Sequence, residues 1–450
     1  MRRGPAGRPV AGKPRGAVRE ARHQPARRVG QRGDDGLSPP RPLRANRDFL
    51  LLWTGAGLAF VGSRISTVAY PMLVLAYTGS ASDAGIVGFF ANLPYLLQLA
   101  GGVLADRVDR RRLMIVCDLG RITAVATLIA ALAWGRFWLP QVACVAFCDN
   151  GLAILYRIAE RASVRNLVRD DDLPVALSRN EARQRGAGLI GAPIGSFLFA
   201  VARWAPFVST LVSSLASLVS LLMIRSKFQT ERVKGPRRSM TADLRAGLAW
   251  AWHQPIVRVI ALLIAGSNML FAALTLSLQY IVRNEYSSAA QAGVAIGVIF
   301  GISGVGGLLG ALNAAWWTRV ASLPALVIGC NVVWAVLMPL VAVVRSPAGL
   351  GALFAGMGYA GALWNVAAAS YQQRVTPDEL QGRLLSVAIL VAYGTVPLGS
   401  MAGGFLLNAW GTAHTVLALG ACMAGLAVWT ALSPAIRELA TAPHDLASQT

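Results

Sequence analysis

Apolar segments long enough to cross a lipid bilayer recur along almost the whole chain, and they constrain its fold more than any other feature. A spanning helix takes about 20 mostly apolar residues, and twelve such segments can be placed between residues 49 and 433. Lipid offers no hydrogen-bond partner to an unsatisfied backbone group, so these segments are expected to be helices. Only 14% of the residues are charged, against about 25% in soluble domains. The sequence therefore predicts an all-α polytopic membrane protein with twelve transmembrane helices.

The predicted spans form two groups of six, separated by the longest interior polar stretch. The halves echo each other, since Pro193-Ile194-Gly195-Ser196 in the fifth span corresponds to Pro397-Leu398-Gly399-Ser400 in the eleventh. Internal duplication of this kind is common in transporters. We predict an N-terminal six-helix bundle at 47–224, a cytoplasmic linker at 225–256 and a C-terminal bundle at 257–433. The spans themselves are predicted at 49–77, 84–104, 113–134, 139–157, 187–203, 205–224, 257–281, 289–314, 323–344, 348–370, 384–408 and 412–433.

Basic residues collect in alternate connections between the spans, which sets the predicted topology. Of the 42 Lys and Arg residues, 13 precede Asp48, and cytoplasmic segments are the ones that carry excess positive charge. Both termini are therefore predicted to be cytoplasmic, in the plasma (inner) membrane. Residues 1–46 have no apolar run, so we predict that they form a disordered basic tail. Residues 434–450 are predicted to form a second cytoplasmic tail. The net charge of +21 then faces an anionic inner leaflet, which argues against a nucleic-acid partner.

A charged hairpin between the second and third spans carries the most specific motif. It is Gly102-x-x-x-Asp106-Arg107-x-x-Arg110-Arg111, with Asp109 at the position where the usual form has Gly. This spacing resembles the loop between helices 2 and 3 of the major facilitator superfamily of transporters. Asn46-Arg47-Asp48-Phe49 and Thr376-Pro377-Asp378-Glu379-Leu380 are similar to segments of its macrolide-efflux and siderophore-exporter branch, which consists of drug:proton antiporters.

The resemblance implies two pseudo-symmetric six-helix bundles and a role for the hairpin. Its charges would form a conformational gate that holds the halves in the outward-facing state from the inner face. Ordinary positive-inside charge explains the arginines but not Asp106. Gly191, Pro193 and Gly195 are similar to an antiporter element of helix five, with the Pro shifted by one residue. The predicted gate comprises Gly102, Asp106, Arg107, Arg110, Arg111 and, as partners at the inner end of helix four, Arg157 and Glu160.

Charged residues inside spans are the candidate functional groups, because each costs about 2.5 to 3.5 kcal/mol on insertion scales. The resemblance implies that helices one, four, seven and ten line a central cavity, which would place Arg64 and Asp149 in one chamber. We hypothesise that Asp149 couples transport to protons, and that Arg64 is its counter-ion or contacts an anionic part of the substrate. A permanent structural ion pair is the alternative. Asp118 and Arg121 are i, i+3 neighbours, so we predict a local structural pair.

Polar and aromatic residues in the cavity-lining helices indicate the kind of molecule transported. Together with the charged half they favour an amphipathic organic molecule over an inorganic ion. The predicted function is proton-coupled export of a drug, secondary metabolite or siderophore by alternating access; import or facilitated diffusion on the same fold is the alternative. A membrane enzyme would need a clustered catalytic set that the sequence lacks, and neither a cofactor nor a metal is predicted. We expect a monomer. The predicted substrate-cavity residues are Asn150, Asn268, Tyr359, Trp364 and Asn365.

Overall fold

The computed structural model describes residues 46–168, 170–226, 228, 249, 252–375, 381–434 and 436–437, all within one compact unit that spans residues 41–450. Every regular element in these residues is helical. Most of the predicted linker and nearly all of both predicted tails lie outside the described residues, so these three domain assignments remain predictions.

Seven α-helices form the first half of the described structure. Short turns join most of them, as expected for spans that cross a bilayer in alternate directions. A 3-10 segment, Leu93–Leu97, separates the second and third helices. The helices are α1 (Arg47–Thr78), α2 (Ala81–Asn92), α3 (Gln98–Arg107), α4 (Arg110–Ala133), α5 (Leu139–Leu167), α6 (Leu173–Val201) and α7 (Ala205–Met223).

Six further helices form the second half, beyond the predicted linker. The last of them contains a break in regular helical geometry at Gly411, whose φ of +72° lies in the left-handed region, where glycine carries no steric cost. The helices are α8 (Pro255–Glu285), α9 (Ala289–Val320), α10 (Leu323–Leu340), α11 (Pro347–Val375), α12 (Gln381–Gly394) and α13 (Val396–Leu432).

Nine helices in the described part of the chain are long and apolar enough to cross a membrane, against the twelve spans predicted. Three local features account for the difference, and the first is that the predicted span 187–203 belongs to α6, which is not among the nine. The predicted span 84–104 is divided by the 3-10 segment that contains Pro94, because proline removes a backbone donor and interrupts a helix. The predicted spans 384–408 and 412–433 share α12 and α13, with Gly411 between them. Hydropathy alone registers neither break. The structure shows a multi-pass all-helical protein, and the number of spans remains a prediction.

Polar caps set where the helices begin. The side chain of Asn46 accepts a hydrogen bond from the Phe49 amide and donates one to the carbonyl of Leu167 at the end of α5. Asp109, the residue at which the hairpin departs from the usual motif, accepts a hydrogen bond of 2.8 Å from the Arg112 amide and begins α4. Asp is a favoured N-cap, so the departure from Gly has a structural reason.

The repeated Pro-x-Gly-Ser segments make the same close contact in each half. At Gly195 on α6, an added Cβ would lie 2.8 Å from the carbonyl oxygen of Ile65 on α1. At Gly399 on α13, the corresponding contact is with the carbonyl oxygen of Met269 on α8. In each half the glycine lets this helix approach the backbone of that half's first helix.

The serine that follows each of these glycines lies at a contact between the two halves. An added Cβ at Gly293 on α9 would lie 2.8 Å from the carbonyl oxygen of Ser196 on α6, and one at Gly85 on α2 would lie 2.9 Å from that of Ser400 on α13. Both contacts therefore join the second span of one half to the repeated segment of the other. These two backbone contacts are called the seam. They lie at equivalent places in the two halves, as the duplication predicted from the sequence implies.

Candidate functional site

A buried carboxylate joins three helices of the first half. Asp149 on α5 is fully buried, and its Oδ1 accepts a hydrogen bond of 2.8 Å from Nε of Arg121 on α4. Its Oδ2 accepts from the hydroxyls of Ser66, at 2.8 Å, and Tyr70, at 3.1 Å, both on α1. The carboxylate is thus neutralised by one cation and held by two hydroxyl donors, which is what a buried charge needs.

Arg121 corrects two predictions made from the sequence. Its guanidinium, 1% exposed, is the counter-ion of Asp149, so the assignment of that role to Arg64 is wrong. The predicted local pair between Asp118 and Arg121 is also wrong. The i, i+3 spacing permits such a pair, but the arginine side chain crosses the α4–α5 interface. The signal available in the sequence was one charged residue of opposite sign deep in each of two consecutive spans, Arg121 in α4 and Asp149 in α5.

Asp118 has a hydroxyl partner in place of the arginine. The hydroxyl of Ser217 on α7 donates to Oδ2 of Asp118 at 2.7 Å and lies 2.9 Å from the phenol oxygen of Tyr156 on α5. Oδ1 of this fully buried carboxyl group has no hydrogen-bond partner among the described residues. Asp118 and Asp149 therefore occupy two distinct buried sites in the first half, and only a structural role was predicted for Asp118.

Arg64 lies apart from this cluster. It is half-buried, and its guanidinium carbon stands 4.9 Å from the ring centroid of Phe60, one turn earlier on α1. Its Cβ faces Gly191 of α6, where any side chain would collide with it. Asp149 itself has no exposed surface, so in this conformation Arg64 and Asp149 do not share one chamber.

A cavity with a volume of about 540 Å³ lies in the second half of the described structure. Three predicted residues, Asn268, Trp364 and Asn365, line it. Tyr359 does not; its hydroxyl accepts a hydrogen bond of 2.8 Å from the indole of Trp317. The prediction missed Ser267, Phe271, Phe300, Trp334 and Tyr393, which also line the cavity.

Asn150 is the other predicted cavity residue that lies elsewhere. Its side chain accepts a hydrogen bond of 3.1 Å from Thr67 on α1 and donates one of 3.0 Å to the carbonyl of Ala146 on its own helix. These contacts place Asn150 in the α1–α5 interface, next to Asp149.

Aromatic rings and amides give the cavity its chemical character. The rings of Phe271 and Trp334 meet edge to face with centroids 5.1 Å apart, and the ring of Trp364 lies 6.4 Å from that of Trp334. The indole N–H of Trp334 donates to the carbonyl of Met357 at 2.9 Å, whereas that of Trp364 has no partner in the described structure. Such a lining suits a molecule with an aromatic or apolar body and a few hydrogen-bonding groups.

The hairpin arginines contact the ends of neighbouring helices. Arg110 donates a hydrogen bond of 2.8 Å to the carbonyl of Ala162 near the end of α5. Arg111 donates to the carbonyls of Leu221 and Leu222 at the end of α7, at 3.0 and 3.2 Å. Cations favour helix C-termini because unpaired carbonyls and the helix dipole lie there. These contacts fix the hairpin to its own half.

The other predicted gate residues fall into different environments. Glu160 accepts hydrogen bonds from Arg183 and Asn180 of α6, both at 3.1 Å, so its partners lie outside the hairpin. Gly102 has open space where a Cβ would be, and Arg107 is exposed. The side chain of Asp106 lies outside the described part of the structure. The predicted lock between halves therefore remains a prediction.

Comparisons with known proteins identify relatives over nearly the whole chain. Residues 37–449 match the family model described as transmembrane secretion effector. The multidrug efflux pump Tap of Mycolicibacterium fortuitum is 28% identical over 89% of this chain and 98% of that protein. Macrolide efflux protein A of Streptococcus pyogenes is 22% identical over 87% and 97%. The crystal structure of the nucleoside transporter NupG superposes with a TM-score of 0.68 at 11% identity, over 88% of this chain and all of that one.

Proposed function

Because the chain belongs to the transmembrane secretion effector family of major facilitator transporters, we propose that it exports amphipathic organic molecules by proton-coupled alternating access. The proposed architecture is two six-helix bundles, at 47–224 and 257–433, with the linker and both termini in the cytoplasm. The efflux pumps among its relatives support export. A proton that enters down the membrane potential supplies about 2.3 kcal/mol per 100 mV.

The buried Asp149 cluster is the observation that carries the proposal. A carboxylate bound by groups from α1 and α4 keeps those helices together while it is charged. Protonation removes the attraction for Arg121 and frees the helices to shift. Export then requires the cluster to open to water in another state of the transport cycle, which rocking of the two halves would provide.

The seam is a second observation that supports alternating access. Backbone contacts between the halves at Gly85 and Gly293 lie near the beginnings of α2 and α9, the end of the protein that the topology places outside. The cavity of about 540 Å³ lies deeper in the second half. This arrangement fits a transporter that is closed on the outside and collects its substrate from within.

Flux in proteoliposomes tests the proposal. With an imposed pH gradient, the wild-type protein should accumulate rhodamine 6G against its concentration gradient. Asp149→Asn should abolish that accumulation yet retain exchange of dye at equal concentrations, because only the coupling group is changed. Glu285→Gln, at an exposed end of α8, is the matched control and should behave as wild type. Full gradient-driven accumulation by Asp149→Asn would refute the coupling role, and uptake in the opposite direction would favour import.

A further inference from the structure

Two arginines of the first half have no ion-pair partner among the residues that the structure describes. Arg64 on α1 and Arg157 on α5 are both half-buried, and the ion pairs of this region are made by other residues. Arg121 and Arg183, also buried here, are each neutralised by an acid. An uncompensated charge inside a span, such as that of Arg64, is costly, and Arg157 at the inner end of its span adds a second positive charge to the same region.

The two arginines lie in the same region of the first half. Phe60, on whose ring Arg64 stands, lines a small pocket together with Arg157. Arg64 acts electrostatically on Arg157, as do the phenol groups of Tyr95 and Tyr393. Like charges in a region of low dielectric repel one another, so an anion placed between them would be attracted by both.

Glu160 is the acid closest to Arg157 along α5, but it already has other partners. Its carboxylate acts on Arg157 electrostatically, and it accepts its hydrogen bonds from Arg183 and Asn180. Arg183 also contacts the carbonyl of Trp53 at 2.7 Å, which holds the pair in place. Glu160 therefore reduces the positive potential at Arg157 without forming an ion pair with it.

A stacked pair of tyrosines connects the arginines to the large cavity. Tyr95, in the 3-10 segment between α2 and α3, stacks on Tyr393 of α12 with ring centroids 5.0 Å apart and an interplanar angle of 15°. Tyr393 lines the cavity of about 540 Å³. The lining residues in the described part of the chain include aromatic rings and amides but no acid or base. A positively charged wall thus lies next to an aromatic chamber.

We propose that Arg64 and Arg157 form an anion subsite of the transport pathway, so that the exported molecules include a class with an acidic group joined to an aromatic or apolar body. The inference rests on the proposed export function and specifies its substrate class. A guanidinium binds a carboxylate, sulfonate or phosphate through two parallel hydrogen bonds, and the aromatic chamber accepts the remainder of the molecule. An acidic lipid headgroup offers the same chemistry as a soluble acid.

Dyes that share a skeleton and differ in charge test the subsite. Fluorescein is anionic and rhodamine 123 cationic, and both contain the xanthene ring system. Binding to the full-length protein in nanodiscs is measured by fluorescence anisotropy. Wild type should bind fluorescein more tightly than rhodamine 123. Arg64→Gln and Arg157→Gln should each weaken fluorescein binding about tenfold or more, since each removes a charge-assisted contact. Rhodamine 123 binding should stay unchanged or become tighter.

Two further variants keep the test specific. Arg64→Lys retains the charge and should restore part of the affinity for fluorescein. Arg203→Gln is the matched control, because Arg203 also stands over an aromatic ring, that of Tyr77 at 5.1 Å, yet is exposed at the α6–α7 turn. It should leave both dyes unaffected. Loss of fluorescein binding only in nanodiscs that contain phosphatidylglycerol would identify a lipid headgroup as the natural anion and would still support the subsite.

The outcomes separate this inference from the proposed function. If both dyes bind equally and the arginine variants change neither, the anion subsite is overturned while export of amphipathic molecules stands. If fluorescein does not bind at all, the subsite is likewise overturned. If Trp364→Ala leaves the binding of both dyes intact, the cavity assigned under the proposed function is wrong, whatever the arginine variants show.

Discussion

The Asp149–Arg121 pair should behave as one energetic unit, which a double-mutant cycle can measure. Both side chains are at most 1% exposed, so removal of one partner leaves an unpaired buried charge. That costs about 3 to 5 kcal/mol for a buried pair. Asp149→Asn and Arg121→Gln should each lower stability by roughly this amount, whereas the double variant removes both charges. Its loss should fall short of the sum of the single losses by about 2 kcal/mol or more, within the range measured for coupled neighbours.

Thermal unfolding of the purified protein in one detergent provides the assay, with the melting temperature of each variant as the readout. The exposed pair of Glu181 and Arg185, with 51% and 71% of their side chains exposed and an N–O distance of 3.1 Å, provides the control cycle. Its coupling should be about 0.5 kcal/mol or less, as for i, i+4 pairs on a helix surface. A coupling energy at the buried pair no larger than that of the control pair would refute the reasoning.

Three further predictions follow from local contacts. Gly293→Val should weaken closure of the seam, because its first added atom meets backbone at 2.8 Å. A cysteine-labelling assay should then show increased access to the cavity from the predicted outer side. Gly425→Val, with open space around the glycine, should show no increase in access. Asp109→Ala should lower thermal stability by about 1 kcal/mol through loss of an N-cap, and Asp109→Asn should retain it. Asp118→Asn should cost less stability than Asp149→Asn in the same thermal assay, because no ion pair is broken; equal costs would contradict the assignment.

The sequence was most informative about features that depend on composition and periodicity. Long apolar segments predicted a polytopic helical protein, which the structure confirms, and the hairpin motif led to the family that the comparisons confirm. The Pro-x-Gly-Ser echo indicated duplication, and the structure gives each copy the same contacts. Each of these features is carried by residues close together in the chain, so no knowledge of side-chain packing was needed.

The sequence was less informative about partners that lie far apart in the chain. Arg121 has one acid three residues before it and another 28 residues after it, and only packing of α4 on α5 shows that the second is its partner. Tyr359 and Asn150 have the polarity of cavity residues, yet each points into a helix interface. Rotation of a helix about its axis decides such cases, and an apolar membrane helix carries little amphipathic pattern from which to read that rotation.

The seam between the halves consists almost entirely of main chain. At Gly85 the nearest atoms are all main chain, and at Gly293 they are the Ser196 carbonyl oxygen and the Ala200 amide nitrogen and Cβ, so the seam contains no charge and no large side chain. The seam glycines do not line the cavity of about 540 Å³, so substitutions in the cavity lining leave the seam atoms unchanged. In the proposed transport cycle, the atoms that recognise a molecule would differ from those that close the seam, and Tyr393, which lines the cavity and stacks on Tyr95 of the first half, would join the two.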